Sequence, residues 1–208
     1  MSTKDMKEDP SGISRRGFFK GVGAGAVATG LLKEVSEEAG IVEAQAKKSV
    51  GPGEVPITLT INGKKRDLRV EPRVTLLDAL RNRLDTTGAK KVCDRGTCGA
   101  CTVMVDGAVA YSCSILAIEA QGKKITTVEG LGTPDNMSDV QQAYMDHDAS
   151  QCGFCTPGFV VATTAFVRDN PGATLDEVRA GLGGNLCRCG TYAGIIEAAY
   201  ELTQKGGA

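Results

Sequence analysis

All eight cysteines of the 208-residue chain fall into two short constellations, four in each. The first is Cys93, Cys98, Cys101 and Cys113, spaced C-x4-C-x2-C-x11-C. The second is Cys152 and Cys155 in QCGFC, then Cys187 and Cys189 in NLCRC after a gap of 31 residues. A [2Fe–2S] cluster held by four thiolates takes three cysteines from one folded loop and a fourth from a neighbouring segment. The first set has that pattern. Gly96 and Gly99 let its loop curl and aim backbone N–H groups at sulfur, which stabilises the charge added on reduction. The second set places two cysteines before each of two expected helices, whose N-termini favour negative charge. The chemistry expected is one-electron transfer through two [2Fe–2S] clusters.

Other uses of these cysteines stay open on spacing. Zinc also accepts four thiolates, and C-x2-C is common in zinc sites. Eight cysteines in an exported chain could form four disulfides, with 105 pairings. The C-x-C pair makes a local bridge strained, and a chain of this size builds a core without staples. The chain has one histidine, His147, so a metal site built from several imidazoles is excluded. His147 shares a helix face with Val140 and Tyr144 and reads as a packed or capping residue. Tyr111 and Tyr192, beside the cysteines, read as packing. No residue has the setting of a nucleophile or an acid–base pair.

The elements that position the cysteines change in kind along the chain. Ile57, Leu59 and Ile61 alternate with polar residues, the period of a half-buried strand. Asn62-Gly63 is a hairpin turn, and Arg66 to Val70 is the returning strand. Leu76, Leu77, Leu80 and Leu84 predict a helix from Thr75 to Leu84. A second hairpin follows, Cys101 to Val105 and Ala108 to Ser112 around Asp106-Gly107, then a short strand from Ile125 to Val128. From Ser138 the pattern is helical. Thr156-Pro157 predicts an N-cap followed by Pro at the first helical position. Thr174 and Glu177 form a capping box, and Tyr192 to Leu202 is a final amphipathic helix. The fold class expected is α+β: a β-grasp, ferredoxin-like domain at 56–132, then an all-α four-helix domain at 133–208. Each carries one cysteine set.

The N-terminus reads as an address rather than as fold. Ser14-Arg15-Arg16-Gly17-Phe18-Phe19-Lys20 precedes a Gly/Ala-rich stretch, Gly21 to Leu32, too short for the roughly 20 residues of a bilayer span. Ala44-Gln45-Ala46 is a small-residue cleavage pattern. Residues 1–46 resemble a twin-arginine signal peptide, with 47–55 as a linker. Gly21, Gly23 and Gly25 lack the preceding strand and the spacing of a phosphate loop. Periplasmic export is expected, with membrane contact only through that step. A net charge of -1 lacks the basic excess of a nucleic-acid partner.

The order of the two sets, with QCGFCTPG and NLCRCGTY, resembles the small iron–sulfur subunit of the molybdenum hydroxylases. That family holds xanthine oxidases, aldehyde oxidoreductases and aerobic carbon monoxide dehydrogenases. The match spans roughly residues 56–204. The resemblance implies that Cys152, Cys155, Cys187 and Cys189 hold the cluster proximal to a molybdenum–pterin cofactor, with Gln151 at the pterin and Cys189 facing it. Cys93, Cys98, Cys101 and Cys113 would then hold the distal cluster, toward an FAD-binding subunit. Gly153, Gly158, Gly184 and Asn185 would shape the loops. Molybdenum and FAD would lie on partner chains, and this chain alone would turn over no substrate. With the leader, the expected function is the electron-transfer subunit of an exported aldehyde oxidoreductase. A family member acting on an N-heterocycle or carbon monoxide, or a free-standing ferredoxin-like carrier, is the alternative.

Overall fold

A computed structural model describes residues 50–206; the leader and its cleavage pattern lie outside the described residues. Residues Ser49–Ala208 form one compact unit. Five strands open it: β1 (Val55–Ile61), β2 (Lys64–Val70), β3 (Thr102–Val105), β4 (Ala108–Tyr111) and β5 (Lys124–Thr126). They form one mixed sheet in the order β2-β1-β5-β3-β4. Only the β1–β5 pair is parallel.

Both hairpins are set by their turn residues. Asn62 and Gly63 take φ of 48° and 77°, and Asp106 and Gly107 take 51° and 85°. Two consecutive positive φ values make a type I′ turn, whose twist matches that of the strands it joins. The register follows, with Ile61 opposite Lys64 and Val105 opposite Ala108.

Helix α1 (Leu76–Arg83) starts where Thr75 accepts the N–H of Asp78. Its buried Leu76, Leu77 and Leu80 pack with Ile57, Leu59, Ile61, Val103 and Ile125 of the sheet. Each such side chain contributes about 1.5–3 kcal/mol on leaving water. β3 does not alternate in burial as a one-sided strand would. The reason is a second layer on its other face, where Met104 packs with Val161 and Ala165.

Those two residues belong to α3 (Thr156–Asp169), one of four helices in the second half; the others are α2 (Asp139–Asp146), α4 (Leu175–Gly181) and α5 (Tyr192–Gln204). They share a core that includes Val140, Tyr144, Phe159, Val178 and Ile195. Ser138 with Gln141 and Thr174 with Glu177 close capping boxes on α2 and α4. His147 is the C-cap of α2, and its Nε2 lies 2.7 Å from Glu201 Oε2 on α5. The α+β class with a β-rich half followed by four helices is as expected.

Four boundaries differ from the sequence expectation. Residue Val55, inside the expected linker, already pairs in β1. The strand expected to reach Ser112 ends at Tyr111, because Ser112–Ser114 tightens into a 3-10 turn that carries Cys113 inward. The cap expected at Thr156 is instead Cys155, and the Thr156 hydroxyl pairs with Ser150 at 2.9 Å. Likewise β5 stops at Thr126, and Val128–Gly130 forms another 3-10 turn.

Candidate metal centres

The first cysteine set sits on the loop between α1 and β3, with its fourth member just after β4. Asp94, Gly96 and Gly99 take φ of 53°, 68° and 70°, and this left-handed curl turns backbone N–H groups inward. The N–H groups of Arg95 and Thr97 donate to Cys93, and that of Gly96 donates to Cys113 Sγ at 3.2 Å. The Arg95 and Thr97 donors hold the Cys93 thiol down at about 6. Burial pushes Cys101 up to about 11.

The second set is built at two helix starts. Cys155 caps α3, while Cys187 and Cys189 precede Thr191, the N-cap of α5. The Phe154 N–H, with Cys189 beside it, lowers Cys152 from its ordinary value. Burial pushes Cys155 up to about 12. Burial works the same way on Cys187, but the Thr191 hydroxyl, Thr191 N–H, Cys155 thiol and Gly190 N–H outweigh it and hold the group at about 7. Cluster binding requires all of these groups as thiolates, so insertion releases protons.

Within each set the thiols lie beside one another. Cys93 faces Cys98, and Cys101 faces Cys113. Cys152 faces Cys189, and Cys155 faces Cys187. A single zinc needs four ligands around one point, whereas a [2Fe–2S] cluster divides four thiolates between two irons. Four thiols per set match the donor complement of a [2Fe–2S] cluster, and all eight cysteines are free thiols. In the second set Cys152 and Cys189 are exposed, together with Gln151, Phe154, Leu186 and Arg188, while Cys187 is buried. In the first, Cys101 and Cys113 are buried, and Cys93 and Cys98 are half-buried.

The two sets meet at a seam. The Leu186 N–H donates to the Cys98 carbonyl at 2.9 Å. Buried Asn185 donates through Nδ2 to the Gly99 carbonyl at 2.9 Å and to Thr102 Oγ1 at 3.2 Å. The Tyr111 hydroxyl donates to the Gly184 carbonyl at 2.7 Å. Tyr192 receives the Cys187 N–H on its hydroxyl at 2.8 Å. A chain of bonds thus runs from Cys98 to Cys187 with one hydrogen bond in it. Sequence reasoning had Tyr111 and Tyr192 only as packing. The partner of Tyr111 is not a sequence neighbour of the kind that periodicity reports, since Gly184 is 73 positions away.

Two electron-carrying centres on one small chain, joined by a direct bonded contact, define an iron–sulfur electron-transfer protein. The comparisons agree with that class. A family model described as "2Fe-2S iron-sulfur cluster binding domain" matches residues 59–127, and one described as "[2Fe-2S] binding domain" matches 127–200. The chain is 41% identical to the aldehyde oxidoreductase iron-sulfur-binding subunit PaoA of Escherichia coli (strain K12), over 94% of this chain and 91% of that protein. It is 45% identical to the nicotine 6-hydroxylase small subunit of Paenarthrobacter nicotinovorans, over 71% of this chain and 88% of that one. The crystal structure of quinoline 2-oxidoreductase from Pseudomonas putida 86 superposes with a TM-score of 0.69 at 42% identity, covering 74% of this chain and 99% of that chain. The chain belongs to the iron–sulfur subunits of the molybdenum hydroxylase family.

Proposed function

We propose that this chain carries electrons from a molybdenum subunit that oxidises aldehydes, in the periplasm, to a flavin subunit or another acceptor. Cys152, Cys155, Cys187 and Cys189 hold the cluster that receives each electron, with Gln151 and the exposed Cys189 toward the pterin. Cys93, Cys98, Cys101 and Cys113 hold the cluster that passes it on. Two [2Fe–2S] clusters supply one-electron storage; the chain's own residues supply position and potential.

The seam carries this reading. Leu186 and Cys98 bring the two ligand loops into hydrogen-bonded contact at 2.9 Å. Asn185, buried to 4% exposure, fixes that contact from the helical side. Gln151 and the second, helical domain argue against a free-standing carrier. Backbone N–H donors at the first set and two helix starts at the second stabilise the added negative charge.

Aldehyde is favoured over an N-heterocycle by coverage. The similarity to the aldehyde oxidoreductase subunit extends over 94% of this chain, so it reaches into the leader; that to the nicotine 6-hydroxylase subunit covers 71%. Arg15 and Arg16 are read as the export signal, since a folded, cluster-loaded chain suits the twin-arginine route. Replacing Arg15-Arg16 by Lys-Lys abolishes aldehyde-dependent dye reduction in the periplasmic fraction and leaves the loaded protein in the cytoplasm. Full periplasmic activity of that variant contradicts the export reading. Activity on quinoline-type substrates but not aldehydes contradicts the substrate reading alone.

A further inference from the structure

We propose that Thr191 is a positioning residue for electron transfer: its hydroxyl donates to Cys187 Sγ and raises the reduction potential of the cluster on the helical half. This rests on the reading that Cys152, Cys155, Cys187 and Cys189 hold a [2Fe–2S] cluster.

Among the described residues, four helices begin at a hydroxyl residue. At three of them, Thr75, Ser138 and Thr174, the side chain accepts an N–H of the first turn. Accepting that bond is the ordinary use of a hydroxyl at this position. Thr191 is the exception and makes no side-chain cap bond. Its Oγ1 lies 3.1 Å from Cys187 Sγ instead, its one side-chain partner among the described residues. Both residues are buried, at 6% and 8% exposure. Water therefore has little room to replace the hydroxyl.

Direction follows from chemistry. A thiolate bound to iron has no proton to give, so the hydroxyl must donate. The bond is then charge-assisted, and it strengthens as the sulfur gains electron density. Reduction adds that density, so the bond favours the reduced state and raises the potential. The other set has hydroxyl neighbours of its own: Ser114 Oγ lies 3.7 Å from Cys113 Sγ, and the Ser112 hydroxyl lies against Cys101.

The test is a redox titration followed by electron paramagnetic resonance on the complete complex. The cluster of the β half serves as internal reference. Thr191→Val is expected to lower the reduction constant of the helical cluster about tenfold, equivalent to about 59 mV for one electron. The reference cluster stays unchanged. Thr191→Ser keeps the hydroxyl and the wild-type potential. Thr191→Ala removes the hydroxyl with less volume and decides the case if Val disturbs the pocket. An unshifted potential in loaded Val and Ala variants overturns the proposal. So does a Ser variant that shifts as far as Val. If neither Val nor Ala variant loads iron, proton-resolved resonance on the reduced wild type decides, and absence of a rapidly exchanging hydroxyl coupling at the helical cluster overturns it. A wild type without two cluster signals strikes the underlying ligand reading instead.

Discussion

Replacing Cys101 by Ser removes the cluster of the β half and stops electron delivery to the acceptor, while substrate still reduces the molybdenum centre. A serine hydroxyl does not ionise near neutral pH, so it cannot stand in for a thiolate. Cys101 is 3% exposed, and its neighbours Val103 and Cys113 belong to the same core, so solvent cannot supply a replacement ligand. Iron falls from about four to about two per chain. One of two resonance signals disappears, and the signal from the helical half survives, because its four cysteines lie on other loops. Steady-state acceptor reduction drops to background. Unaltered turnover in this variant would show that electrons leave without passing the β-half set.

Substituting Gly158 by Val destabilises the protein by about 3 kcal/mol, the upper end of the overpacking range. Helix propensity alone predicts the opposite, since Gly158 lies in the first turn of α3 and glycine is a poor helix former. Packing decides the sign. A Cβ at this position runs into the Gly99 carbonyl oxygen and stands 3.2 Å from both Ala100 Cα and Asn185 Nδ2. The first two are backbone atoms of the opposite cysteine loop and cannot swing aside. The unfolding midpoint falls by about 6–12 °C for a chain of this size. The same wedge pushes on the seam, so electron passage between the clusters slows as well. Gly53→Ala is the control, because nothing stands within 4 Å of a Cβ there. A midpoint that rises in Gly158→Val would mean that the seam is slack.

Local chemistry made much of this legible. Asn62-Gly63 and Asp106-Gly107 announced both hairpins because only residues tolerant of positive φ suit a type I′ turn. Thr174 with Glu177 marked a helix start through a capping box that sequence spacing encodes. The cysteine sets were legible because ligand loops demand fixed intervals. Long-range pairing was not. Asn185 and Gly99 are 86 positions apart, and neither shows by periodicity that it meets the other. Which thiols lie beside one another depends on which loops face each other, which spacing does not carry. Thr156 had every local mark of a cap, yet it is the first helical residue of α3 and the cap falls one residue earlier, at Cys155. Thr191 went unnoticed because a hydroxyl before a helix ordinarily caps it.

The most direct test of the central claim is low-temperature electron paramagnetic resonance on the reduced, purified protein, with metal content and co-purifying chains recorded. The account predicts two distinct [2Fe–2S] signals, about four irons per chain, and a large molybdenum-containing subunit in the same fraction. One signal or none, or zinc in place of iron at the helical set, would contradict it.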